Sequence, residues 1–233
     1  MSEKVNHIQS CSNCGFIPFC TLDGDSPSWL NQISSAVKQQ HILKTRQVLY
    51  FPQNTFHNLY AIKSGNLKTF EVDKEGNELI RGFYFEGEIL GFEGIASGAY
   101  LFSAIALSET IVCEIPYNHC INLLNSNPAL QKHILYLFSQ KLTVGSYLSF
   151  VTAEQRLAAF LIDVCQRLHI CEQGMEFILP MSRQDIGNYL RLTAETISRL
   201  FSHFKERGII SIEHKRIKFL QLDQLKSIAG VVH

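Results

Sequence analysis

Between Ser182 and Gly208 the chain reads SRQDIGNYLRLTAETISRLFSHFKERG, and no other stretch restricts the fold so narrowly. Ser182 with Asp185 three residues on makes a capping-box-like helix start: a hydroxyl for a first-turn N–H, and an acid near the positive helix end. This helix is expected to run to about Leu190. Thr193 then caps a second helix, in which Ile197, Leu200, Phe201 and Phe204 recur at i, i+3, i+4 and i+7 as one apolar stripe. The outward first turns of that helix carry Glu195, Thr196, Ser198 and Arg199. Such a set suits a DNA major groove, where arginine bonds guanine O6 and N7, a glutamate accepts from cytosine N4, and serine serves a base or a phosphate. A capped amphipathic helix with a polar outer face is also what an ordinary surface helix looks like, so the stretch alone leaves that reading open.

Charge agrees with the groove reading. The formal net charge of the 233 residues is zero, yet residues 181–233 hold nine Lys/Arg against five Asp/Glu, so this end carries +4 and the rest −4. Attraction to phosphate requires the excess at this end, and an excess so modest calls for two copies of the chain. The length accommodates two domains. With no 18-residue apolar run and no basic-then-apolar leader, a soluble cytoplasmic protein with no membrane partner is expected.

Seven cysteines then need an account, and an odd number without an export signal argues against a disulfide framework and towards metal, cluster or redox use. The arm CSNCGFIPFC sets Cys11, Cys14 and Cys20 at C-x2-C-x5-C, in a segment with no helical period. Three thiolates so close can wrap a zinc ion or an iron-sulfur cluster, with a fourth ligand from elsewhere, and spacing does not choose between them. Cys113 sits in a strand-like run with Ile111 and Ile115 on its face, where a small core residue is the simpler reading. Cys120 is the nearby competitor as a ligand, and Cys165 and Cys171 read as structural.

From about Gln47 to Ile115, strand-like runs (QVLYF, NLYAIK, NLKTFEV, ELIRGFYF, EILGF, LFSAIAL, TIVCEI) alternate with glycine turns, which predicts an antiparallel roll. Lys74, Glu75, Gly76 and Asn77 mark one hairpin turn. After Pro128 a heptad places Leu130, Ile134, Leu137, Lys141, Val144, Leu148 and Val151 along one seam, the pattern of a helix that pairs with a second copy of itself. A parallel stripe of Leu135, Phe138 and Leu142 is expected to pack on the roll. Lys141 interrupts the seam, and Gly145 costs about 1 kcal/mol relative to alanine, so the coil reads as weak. AEQRLAAFLIDVCQRL then gives a helix burying Leu157, Phe160, Leu161, Val164 and Leu168, and the runs IISIE and RIKFLQL form a hairpin with Lys215, Arg216 and Lys218 near its turn. The whole reads as α+β, with a cysteine-rich arm (1–24), an antiparallel roll (25–127), a dimerisation helix (128–152) and a winged helix-turn-helix (153–233).

DIGNYLxLTxETISRL followed by FxxxGII resembles the DNA-binding end of the Crp/Fnr family, and LYAIKSGNLK, GFEGIASG, VCEIP and AEQRLAAF extend the resemblance over nearly the whole chain. It lies nearer the fumarate and nitrate reduction branch (FNR) than the cyclic AMP receptor branch. The resemblance implies that the roll is a jelly-roll sensory domain of cyclic-nucleotide-binding type, and that Glu195, Ser198 and Arg199 read TTGAT-type half-sites of a two-fold operator as a homodimer. It also implies that Cys113 is the fourth ligand of an oxygen-labile [4Fe-4S] cluster with Cys11, Cys14 and Cys20, and that the protein acts on RNA polymerase. Cyclic nucleotide is not expected: Gly87, Glu88 and Leu90 match the start of the family's nucleotide segment, but Ile89 to Thr110 contains no Arg or Lys to meet the phosphate. Arg191 stands where the family often has glycine. With no nucleophile elbow, zinc-protease motif or P-loop, an enzyme is not expected. Zinc binding or a thiol-disulfide switch is the first rival reading, and an iron-sulfur electron carrier would leave the helix pair and the heptad unexplained.

Overall fold

The computed structural model describes residues 37–128, 130–132, 134–135, 139 and 152–230, in two compact units that divide between Ser139 and Gln140. Cys11, Cys14 and Cys20 lie outside the described residues, as do Leu137, Lys141, Val144, Leu148 and Val151 of the expected seam.

The first unit is the expected antiparallel roll. Its strands are β1 (Gln39–Leu43), β2 (Val48–Tyr50), β3 (Asn58–Ser64), β4 (Leu67–Val72), β5 (Glu78–Tyr84), β6 (Ile89–Leu90), β7 (Ser103–Ala106) and β8 (Thr110–Pro116). One sheet has the order β1-β8-β3-β6 and the other β2-β7-β4-β5. β1 starts earlier than the periodicity suggested, because the first three residues of QQHIL are polar and its strand character comes from pairing with β8, Gln40 opposite Cys113. The β4–β5 turn forms as expected: one Asp73 carboxylate oxygen accepts from the Glu75 and Asn77 backbone N–H groups at 2.8 and 2.9 Å. These bonds hold the Asp73 carboxyl below its usual range.

Inside the roll, Tyr50 and Tyr100 stack with centroids 4.0 Å apart, and Tyr60 stacks on Tyr50 at 5.8 Å. All three rings are buried. Two of the hydroxyls are accounted for locally: Tyr50 donates to Glu93 at 2.9 Å and Tyr100 to the Asn58 carbonyl at 2.7 Å. Burial, with the Glu93 carboxylate beside it, pushes the Tyr50 phenol well above its usual range, so it stays a neutral donor. A short helix α1 (Gly94–Ser97) leads into this wall and α2 (Tyr117–Ser126) follows β8.

Beyond α2, Pro128, residues 130–132, 134–135 and Ser139 are helical. Here the heptad misassigned the faces. Leu130 is 3% exposed within the roll's own core and Ile134 packs against that core, whereas Leu135, expected on the roll, is 68% exposed. A period shows which residues share a face, but the side on which the roll lies is a tertiary fact.

The second unit comprises α3 (Ala153–Arg167), β9 (Glu176–Ile178), α4 (Arg183–Leu190), α5 (Ala194–Glu206), β10 (Ile210–Glu213), β11 (Arg216–Phe219) and α6 (Leu222–Ala229). Thr152 opens α3 with a full capping box to Gln155. Leu157, Phe160, Leu161 and Val164 are buried as expected, and Leu168, at the C-cap, is only half-buried. The expected hairpin is β10–β11, joined by β9 in the order β10-β11-β9, the sheet of a winged helix. At three residues β9 is too short to carry a period. Cys165 and Cys171 are joined by a disulfide across the turn that ends α3, where their Cα atoms are 4.8 Å apart. The local turn therefore makes one such bond in a chain whose cysteine count argued against a framework of them.

Candidate nucleic-acid interface

The two helices of the interface begin where the sequence placed them, because their caps are local. Ser182 accepts from the Asp185 N–H at 3.0 Å and the Asp185 carboxylate accepts from the Ser182 N–H at 3.0 Å, closing the capping box of α4. Thr193 Oγ1 accepts from the Thr196 N–H at 3.1 Å and starts α5. Each such cap stabilises its helix by about 1 kcal/mol. Between them, Leu192 N–H donates to the Gly187 carbonyl at 2.8 Å. A Cβ on Gly187 would stand 2.6 Å from the Leu192 carbonyl oxygen, so only glycine allows this turn so close to α4. Arg191 closes α4 in the left-handed region, at φ 55° and ψ 47°.

One face of α5 is fixed by burial. Ile197, Phe201 and Phe204 are at most 2% exposed and Leu200 is half-buried. Each fully buried side chain contributes roughly 1.5–3 kcal/mol. Arg183, at the start of α4, sets its guanidinium over the Phe201 ring, 3.5 Å from the centroid, and pins the two helices together. From α3, Arg156 donates to the Leu190 carbonyl at 3.0 Å and so serves the C-terminal end of α4.

With the apolar stripe turned inward, Glu195, Ser198 and Arg199 are exposed and Thr196 is half-exposed. The geometry separates these four residues. The Thr196 hydroxyl lies 2.9 Å from that of Thr193, and the Ser198 hydroxyl donates back to the Ala194 carbonyl at 2.8 Å. Glu195 and Arg199, one turn apart, have no ion-pair partner among the described residues. A carboxylate and a guanidinium on the same outward face can accept from one base edge and donate to another. Ser198, its proton already committed, is left with lone pairs and suits a base amino group better than a phosphate.

The wing cations differ in the same way. Lys215 donates to the Pro180 carbonyl at 3.3 Å and Arg216 pairs with Glu176 at 3.0 Å, whereas Lys218 is exposed with no ion-pair partner among the described residues.

A second candidate site is Cys113 on β8. It is 5% exposed, and its sulfur lies 3.7 Å from the Gln40 side-chain nitrogen, which donates to it. The next residue, Glu114, is held by His41 at 2.6 Å and by Lys38 at 3.7 Å. Cys120 on α2 is half-buried against the same core, and burial pushes its thiol up. Among the described residues no three His, Cys, Asp or Glu side chains gather as a metal site, so a cluster or ion at Cys113 depends on the N-terminal arm. No described helix is long and apolar enough to cross a membrane.

Residues 155–228 match the Crp-like helix-turn-helix domain and residues 40–127 the cyclic nucleotide-binding domain. The chain is 34% identical to the transcriptional activator protein Anr of Pseudomonas aeruginosa over 225 residues, which is 94% of this chain and 92% of that protein. It is 34% identical to the fumarate and nitrate reduction regulatory protein of Escherichia coli K12, covering 97% of this chain and 95% of that one. To the protein of the same name from Vibrio cholerae it is 35% identical, covering 99% and 98%. Among solved structures, FixK2 from Bradyrhizobium japonicum shares the fold at a TM-score of 0.71 and 22% identity, covering 84% of this chain and 98% of that one.

Proposed function

The chain belongs to the Crp/Fnr family of DNA-binding transcription regulators, and from that premise we propose that it is an oxygen-responsive activator of genes of anaerobic metabolism. In this reading it works in the cytoplasm as a homodimer while a [4Fe-4S] cluster is intact, binds a two-fold operator with TTGAT-type half-sites, and acts on RNA polymerase. Its relatives are regulators, not enzymes. The observation that carries the reading is that similarity to fumarate and nitrate reduction regulatory proteins spans 97% of the chain rather than the helix-turn-helix alone.

Cys113 fits a cluster ligand: it is a buried thiol that receives an N–H from Gln40, the kind of contact that orients and tunes a ligating sulfur. Cys11, Cys14 and Cys20 would supply the other three ligands. When bound, the cluster supplies an oxygen-labile tie between the arm and β8. The chain's own residues do the rest: Glu195 and Arg199 address base edges, and the Gly187 turn with its two caps holds them at a fixed angle. Against a cyclic nucleotide stand the buried Tyr50, Tyr60 and Tyr100 rings within the roll, the Glu93 carboxylate bonded to Tyr50, and the lack of Arg or Lys from Ile89 to Thr110. A phosphate buried there would find no cation among residues 89–110.

Iron, sulfide and zinc content per chain, measured on protein isolated without oxygen, tests the proposal. About four iron and four sulfide per chain, with operator binding lost on exposure to air, is the expected result. Zinc without sulfide, with binding indifferent to air, would put the zinc reading in its place.

A further inference from the structure

Of the five non-glycine residues with positive φ among the described residues, Arg191 alone falls in the turn between α4 and α5. A left-handed conformation is unfavourable for a long side chain, and glycine or asparagine takes it more readily. The strain has no local relief, because the turn is locked by the Leu192–Gly187 hydrogen bond and by the close approach that only Gly187 allows. Nor is the side chain needed to close α4. Arg156 already serves the Leu190 carbonyl, and the hydrogen bonds Arg191 makes to Asn188 and Gly187 come from its backbone N–H, which any residue but proline would supply. The guanidinium is exposed and has no carboxylate partner among the described residues. It stands two residues before Thr193, the cap of the helix that carries Glu195 and Arg199. Two residues of chain span at most about 7 Å, within the reach of an arginine side chain.

We infer that Arg191 is a DNA-backbone contact: its guanidinium takes a phosphate flanking the bases addressed by Glu195 and Arg199, and the strained conformation is kept for that contact. The inference rests on the DNA-binding reading above. A phosphate contact carries no sequence information, so Arg191 adds affinity on every sequence and leaves discrimination to the groove residues. Its charge displaces condensed counterions, which makes the effect legible in salt dependence.

The test uses the full chain isolated without oxygen, with two duplexes: a two-fold symmetric one carrying TTGAT half-sites and an unrelated one of equal length. Arg191→Gly and Arg191→Asn, both compatible with the left-handed turn, should weaken binding to both duplexes by the same factor, about tenfold at 0.1 M salt. The slope of log K against log salt should become shallower by about 0.9 per protomer. Arg191→Lys should keep the parent slope, and the thermal midpoint of the glycine variant should not fall. An unchanged slope in both the glycine and asparagine variants, with parent protein that binds normally, would overturn the contact. Weakening confined to the TTGAT duplex would instead make Arg191 a base reader and overturn the inference as stated. Parent protein that binds neither duplex would sink the DNA-binding reading and this inference with it.

Discussion

Arg183 and Phe201 meet face to face across the helix pair, with the guanidinium carbon 3.5 Å from the ring centroid. Arg183 opens α4 and Phe201 sits in the middle of α5, so this contact adds to the turn in holding α5 against α4. Burial pushes the guanidinium pKa down, which indicates that the stacked charge is withdrawn from water. Arg183→Ala should lower the stability of the C-terminal unit by about 1–2 kcal/mol, with Arg183→Lys in between. Urea titration followed by far-ultraviolet circular dichroism reads this. An alanine variant as stable as the parent would mean that the stacking contributes nothing.

Base readout should divide along the hydrogen bonds of α5. Arg199→Ala is expected to lose about 1–3 kcal/mol of discrimination, mostly at a guanine, and Glu195→Ala to relax the preference for a cytosine. Thr196→Ala should act mainly through the helix start, because its hydroxyl is engaged with Thr193. Binding to single-substituted operators separates these outcomes; an equal loss at all positions for Arg199→Ala would make it a phosphate contact.

The cysteines give a colour test. Cys11→Ser, Cys14→Ser, Cys20→Ser and Cys113→Ser should each abolish the anaerobic chromophore, because serine oxygen is a poor ligand for a soft site. Cys120→Ser should spare it, since Cys120 lies on α2, seven residues beyond the assigned ligand. Should Cys113→Ser retain full iron while Cys120→Ser loses it, the fourth ligand has been misassigned.

Dimerisation is expected to depend on Lys141. With Leu130 buried in the roll and Ile134 partly buried against it, the expected seam rests chiefly on Leu137, Lys141, Val144, Leu148 and Val151, and the charge weighs more heavily in it. In a parallel pair each Lys141 faces its copy or must snorkel out of the seam. Lys141→Leu should therefore raise the dimer fraction of cluster-free protein and make operator binding less sensitive to air. Sedimentation of parent and variant at equal concentration checks this; equal monomer fractions would clear Lys141 of the role.

The sequence by itself determined the parts whose signals are local. Ser182 with Asp185 and Thr193 with Thr196 mark helix starts within four residues, the Ile197–Phe204 stripe names the buried face of α5, and Asp73 to Asn77 contain every group their turn requires. Glu195 and Arg199 follow from the stripe as its outward complement. Tertiary structure decided whatever depends on a partner distant in the chain. It put Leu130 on the roll and left Leu135 in solvent, made a strand of Gln39–Leu43 by pairing it with β8, and stacked Tyr50, Tyr60 and Tyr100 from separate strands and loops within the roll. It also gave Arg183 the ring of Phe201 and left Arg191 strained and without a carboxylate partner among the described residues. Periodicity and capping are set by neighbours within a turn or two of helix or strand, whereas the identity of what covers a face is fixed only when segments tens of residues apart compete for the same apolar surface.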